Sequence, residues 1–231
     1  MTLLTPPPPR CSRCSLCSPA SFSPTGRTPI CARIREIVDD VRRSEAYLRQ
    51  TGRKALIVIA TDGVSTDGDV RRALEPLQNL PAWVVIRLCT NEDEVVDYWN
   101  QIDDDLELDM DVLDDLKGEA AEINELNPWM NYSQEIHRVR EFGACDKLFD
   151  LIDERAFKLN EVFRFIKLLF GEAASNLTNP SVDPSKFVDD IKKIQKKLGQ
   201  TYNPLKNRVD DWINVSKIKE MVGKGGNCVI S

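Results

Sequence analysis

Ala55-Leu56-Ile57-Val58-Ile59-Ala60, followed by Thr61-Asp62-Gly63, is the stretch that decides the fold. An unbroken β-rich apolar run ended by an Asp-Gly turn signal predicts a strand buried on both faces of a parallel sheet. Upstream, Thr28-Pro29 precedes Ile30, Ile34, Ile37, Val38, Val41 and Leu48 at helical spacing, with Thr as cap, Pro at the first helical position and Thr51-Gly52 as the stop. Downstream, Asp69–Leu80 reads as a helix packing through Val70, Leu74 and Leu77, and Pro81 introduces a second buried strand, Trp83–Leu88. Asn91 then caps a helix carrying Val95, Val96 and Trp99. Helix, strand, helix, strand, helix is the alternation of an α/β domain with a parallel sheet.

Beyond Ile102 the strand signals fade. Helical patterns follow at Val112–Leu126, Ile136–Phe142, Asn160–Phe170, Lys186–Leu198 and Val209–Val222, broken by Asn127-Pro128, Gly171, Pro180, Pro184 and Asn203-Pro204. They form either an extension of the α/β domain or a separate bundle. Two parallel strands are too few for a stable sheet, so further strands are required. The division is a Pro/Ser/Cys-rich disordered tail over residues 1–23, a partial α/β domain over 24–105, a helical region over 106–222 and a flexible tail over 223–231.

The chain has 231 residues, 42% hydrophobic and 29% charged, with a net charge of −6. This apolar content excludes a wholly disordered chain, and no aliphatic run is long enough to span a bilayer. The acidic balance argues against nucleic acid as a partner. Seven scattered cysteines suit a reducing compartment, and Met1–Arg10 lacks the apolar core of a secretory signal. Charge is segregated: five arginines and no acid between Met1 and Arg35, then fifteen acids and one lysine from Glu92 to Glu125.

In open α/β sheets ligands gather at the carboxyl ends of the strands, where Asp62 falls. Thr28 opens the preceding helix, so its hydroxyl can approach the same edge. A carboxylate and a hydroxyl, with water filling other positions, suit a hard cation such as Mg²⁺. The segment Leu56–Asp69 resembles the fourth-strand region of von Willebrand factor type A domains, and Pro24-Thr25-Gly26-Arg27-Thr28-Pro29 resembles the Gly-x-Thr-Pro loop of that family. The resemblance covers about Pro24 to Ile102. It implies a doubly wound sheet of the von Willebrand A or Rossmann-like kind, carrying a metal-ion-dependent adhesion site whose divalent cation coordinates an acidic side chain of a partner protein. Thr28 and Asp62 would then be metal-site residues. The family's Asp-x-Ser-x-Ser loop is missing, which makes the chain either N-terminally truncated relative to the family or a carrier of a degenerate site.

Cys228-Val229-Ile230-Ser231 has the form of a C-a-a-X box, with terminal Ser favouring farnesyl on Cys228. One lipid anchors marginally and reversibly. Lys192, Lys193, Lys196, Lys197, Lys217, Lys219 and Lys224 could add attraction to anionic lipid, each worth about 1 kcal/mol near the surface. The expected location is therefore cytoplasmic, peripheral at the cytosolic face of a membrane. Cys11, Cys14 and Cys17 have ligand-like spacing but lack a fourth ligand nearby, and read as part of the disordered tail. Asp109-Met-Asp111 echoes the paired aspartates of haloacid-dehalogenase-like phosphatases. The polar Leu106-Glu107-Leu108 before it and Asp114-Asp115 after it read instead as a solvated helix start. The tryptophans Trp83, Trp99, Trp129 and Trp212 read as packing residues. The expectation is a non-enzymatic interaction protein. Its alternatives are a cytosolic scaffold with a degenerate metal site, or a Mg²⁺-dependent phosphohydrolase using Asp109 and Asp111.

Overall fold

The computed structural model describes residues 28–226, so the Cys11–Cys17 cluster and Cys228 lie outside the described residues. Helix α1 (Ile30–Thr51) starts after Pro29 and ends where Gly52 adopts φ 63°, a left-handed turn that favours glycine. Strand β1 (Ala55–Thr61) follows, then α2 (Val70–Leu74), capped by Asp69 accepting from the Arg71 amide. Pro76 lies within the 3-10 turn Glu75–Asn79 that continues α2, so the helix expected through Leu80 is shorter and tighter than its apolar spacing suggests. Strand β2 (Ala82–Leu88) and α3 (Asp93–Asp105) come next.

A third strand then appears where a helix was expected. Strand β3 (Met110–Leu113) pairs parallel to β2, giving the order β1-β2-β3. Asp115 caps the helix that follows, α4 (Leu116–Leu126), through the amides of Lys117 and Gly118. In register, Leu56 pairs with Trp83, Ile57 with Val84 and Val58 with Val85. Helices α1, α2 and α3 pack one face of the sheet around Ile34, Val38, Leu74, Val84, Ile86 and Trp99. The opposite face is covered at β2 and β3 by α5 (Gln134–Glu141), over the small cluster Trp83, Val85 and Leu113.

Among the described residues strand β1 is an edge strand, and this corrects the expectation that it is buried on both sides. Ile57 and Thr61 are buried, whereas Leu56, Val58 and Ala60 are exposed. A continuous apolar run says nothing about which neighbours a strand has, and here α5 stops short of β1.

Helices α6 (Lys147–Glu154), α7 (Leu159–Phe170) and α8 (Pro184–Leu198) build a second core with α4 and α9 (Val215–Gly226). Its centre holds Trp129, Phe149, Phe165 and Phe187. The Asn127 side chain acts as a buried hub. It accepts from Trp129 Nε1 and the Phe157 amide, and donates to the carbonyls of Ile152 and Arg155. Between α8 and α9 the expected helical start at Val209 is instead a hairpin, β4 (Gln200–Asn203) against β5 (Arg208–Asp211). Its turn carries Asn207 at φ 49°. Helix α9 runs on through Gly223, where the sequence read a flexible tail.

Candidate functional site

Two polar centres stand out, one at the carboxyl edge of β1 and one between the two cores. At the first, the loop after β1 folds back onto the start of α1. The Thr28 amide donates to Thr66 Oγ1 at 2.9 Å, and the Thr66 amide donates to the Thr28 carbonyl at 3.1 Å. The loop carrying Asp62 is thereby tied to Thr28. Trp99 Nε1 donates to the Gly63 carbonyl at 3.2 Å and holds the turn from the side of α3. Asp62 itself is exposed, with no hydrogen bond or ion pair among the described residues.

Asp67, which sequence reasoning passed over, has a defined role. Helix α1 has no side-chain cap from its own N-cap residue, Pro29. Asp67 supplies it from 36 residues away, accepting from the Cys31 amide at 3.0 Å and the Ala32 amide at 2.8 Å. Ser65 Oγ donates to the same carboxylate at 2.7 Å and lies 3.3 Å from Cys31 Sγ. The Ser65 hydroxyl, helped by the Ala32 and Cys31 amides, holds the Asp67 pKa down to about 2. Asp67 is thus committed to the helix.

For a hard cation the loop after β1 offers Asp62, a carboxylate with no hydrogen bond or ion pair among the described residues, and the hydroxyls of Thr61 and Thr66. Mg²⁺ prefers octahedral oxygen coordination built on one or two carboxylates. Among the described residues no group of three or more His, Cys, Asp or Glu side chains is placed to hold a metal ion. The donor set is a partial fit.

The second centre surrounds Arg140, whose side chain is fully buried. Its guanidinium binds Asp111 of β3 through both carboxylate oxygens, at 2.6 and 3.2 Å. It also reaches Glu119 of α4 at 2.7 Å and Asp153 of α6. Tyr132 Oη lies 3.0 Å from His137 Nδ1, and His137 Nε2 lies 3.4 Å from Glu141, which takes a hydrogen bond from Arg87. One guanidinium thus joins the parallel sheet to the helical region through three carboxylates. Burial pushes Asp111 up to about 6 and Glu119 up to about 7, with Arg140 offsetting part of each displacement. Burial also raises Asp103 to about 7, aided by the neighbouring Asp111 and Asp150, and lowers His137 to about 4.

Asp111 therefore does not belong to a solvated helix start, as its acidic surroundings suggested; it is buried on a strand because its counter-charge lies 29 residues later. Asp109 sits at the amino end of β3 and pairs with Lys54, away from the carboxyl edge. The two aspartates consequently have separate partners. A cleft of about 340 Å³ beside Asp111 is lined by Asp103, Asp111, Glu119, Glu122, Asp150 and Asp153 among others, with no lysine or arginine in its lining.

The signal for Arg140 was present in the sequence: it lies four residues after Ile136, on the buried stripe of an otherwise amphipathic helix. An isolated cation on such a stripe calls for buried acids elsewhere. Nothing in the sequence says which ones. No protein-family model, curated protein or solved structure matches this chain.

Proposed function

We propose that the chain is a non-enzymatic protein-interaction protein that uses the carboxyl edge of its sheet as the recognition surface. On this reading the edge is a von Willebrand A-like adhesion site, incomplete around Thr28 and Asp62, that meets an acidic side chain of a partner protein. A farnesyl group on Cys228 attaches the protein reversibly to the cytosolic face of a membrane. What supports this reading is the pair of hydrogen bonds between Thr28 and Thr66, which ties the start of α1 to the loop that carries Asp62. With Asp62 the carboxylate of this loop that is not bound to main-chain amides, Mg²⁺ affinity is weak in the isolated chain, and a partner's carboxylate completes the coordination.

Calorimetric titration of the full chain with Mg²⁺ or Mn²⁺ tests this. Weak, saturable binding that disappears in Asp62→Ala is the expected result; binding unchanged by that substitution removes Asp62 from the site. The lipid attachment is tested by fractionating cells. Cys228→Ser is expected to shift the protein from the membrane to the soluble fraction, and an unchanged distribution overturns the anchor.

One observation favours a second reading, a cytosolic scaffold with a degenerate metal site. Asp67, the other carboxylate of the loop, is taken up by the amides of α1. Complete absence of cation binding in the titration selects this reading. The phosphohydrolase alternative gains no support from the separate partners of Asp109 and Asp111.

A further inference from the structure

Parallel sheets are ordinarily covered on both faces and along their edges. Here, among the described residues, β1 pairs with β2 on one side and has no strand on the other. The Ala55 amide donates to the Pro81 carbonyl, and the Thr61 carbonyl accepts from Cys89, so odd-numbered residues of β1 turn their main-chain groups toward β2. In a pleated strand the alternate residues Leu56, Val58 and Ala60 then direct N–H and C=O outward. Outside the β1–β2 ladder, those groups have no hydrogen-bond partner among the described residues.

The same three residues carry the bare part of the sheet face. Leu56 is 42% and Val58 47% exposed, and Phe142, at the end of α5, is 73% exposed. Gly143, at φ 73°, lies against Leu56 so closely that a Cβ there would stand 2.1 Å from Leu56 Cδ1. Phe142, exposed at the end of α5, is the residue before it. Natural edge strands are guarded by internal charges, prolines or bulges. Ala55–Thr61 contains no charge and no proline. Its charges stand at its two ends, Arg53 and Lys54 before it and Asp62 after it.

We propose that β1 pairs with β1 of a second copy of this chain, antiparallel across a two-fold axis at Val58, making one continuous six-stranded sheet. The outward main-chain groups set this register. Val58 faces Val58 and Leu56 faces Ala60, while Lys54, which lies over Trp83 and pairs with Asp109 of its own chain, faces Asp62 of the other copy and is shared between the two carboxylates. The strand is self-complementary because its basic and acidic ends exchange under the two-fold axis, as an isologous contact requires. The aliphatic face of Leu56 and Val58 then continues across the axis.

Sedimentation velocity on the full chain, with EDTA present so that the cation reading of Asp62 plays no part, is expected to show a dimer at micromolar concentrations. Val58→Lys places like charges at the axis and raises the dimer dissociation constant by about a hundredfold, with the far-UV circular dichroism unchanged because Val58 is half exposed. Asp62→Lys weakens the dimer by setting a second cation against Lys54, and Asp62→Glu, which keeps the charge, leaves it intact. Val58→Cys cross-links to itself under mild oxidation, since directly opposed hydrogen-bonded residues have Cα atoms about 5.5 Å apart, within disulfide range. With the native cysteines replaced by Ser in both variants, Val209→Cys, on the exposed hairpin, is the control that stays uncrosslinked. A monomer at every concentration overturns the proposal, as does a dimer indifferent to Val58→Lys. Slow hydrogen exchange at Leu56, Val58 and Ala60 in a monomer also overturns it, by showing that the chain's own residues cover the edge.

Discussion

Arg140→Met is expected to lower the stability of the protein by about 3–5 kcal/mol, the usual cost of removing one partner from a buried ion cluster. Urea unfolding followed by circular dichroism measures it. Arg140 is inaccessible to solvent and faces Asp111, Glu119 and Asp153 at once. Without the guanidinium those carboxylates must either repel one another in a poorly solvated space or take up protons. The loss therefore depends on pH: the variant recovers part of its deficit on acidification to pH 5, where protonation removes the repulsion. A deficit below 1 kcal/mol at neutral pH, independent of acidity, would show that Arg140 does not join the two cores. The cluster links β3, α4, α5 and α6, so its removal is also expected to broaden the unfolding transition.

The second large effect is the pH dependence of the intact protein. Glu119 and Asp103 are held at about 7 and Asp111 at about 6, above the 4.5 and 3.8 of the free side chains. The folded state keeps protons that the unfolded chain has released. Their contribution is complete below pH 4 and is lost as the pH rises through 6 to 7. His137 acts in the opposite sense. Held at about 4 rather than 6.5, it contributes above pH 6.5, and that contribution disappears as the pH falls through 4. Three carboxyl groups outweigh one imidazole between pH 5 and 7, so the urea midpoint is expected to fall as the pH rises from 5.5 to 8. Each pKa unit is worth at most about 1.4 kcal/mol, which lets Glu119 alone move stability by roughly 2 kcal/mol across the window. Glu119→Gln, which keeps the shape without the titration, should flatten the slope. A midpoint that rises with pH, or a slope unaltered in Glu119→Gln, contradicts this account.

The first half of the fold was legible because its determinants are local. Pro29 and Gly52 bracket α1, Thr61-Asp62-Gly63 closes β1, and Pro81 leads into β2. Strand β3 was not legible. Asp111 is tolerated there only through Arg140, so the sequence around it has the acidity of a surface segment. The hairpin of β4 and β5 is short and exposed on β5, leaving no apolar alternation to mark it. Helix α6 was missed as a separate element, its eight residues passing as a link between longer patterns. At the candidate site Thr28 and Asp62 could be named from order along the chain. Asp67 could not, because its partners are main-chain amides of another element.

That last bond has a consequence for assembly. A helix of 22 residues can form transiently by itself, but its opening turn keeps unsatisfied donors until the Asp67 carboxylate arrives. Its arrival requires the chain to reverse through the first strand and close a long loop. The beginning of the helix is therefore among the late events in folding and among the early ones in fraying, although it comes first among the described elements.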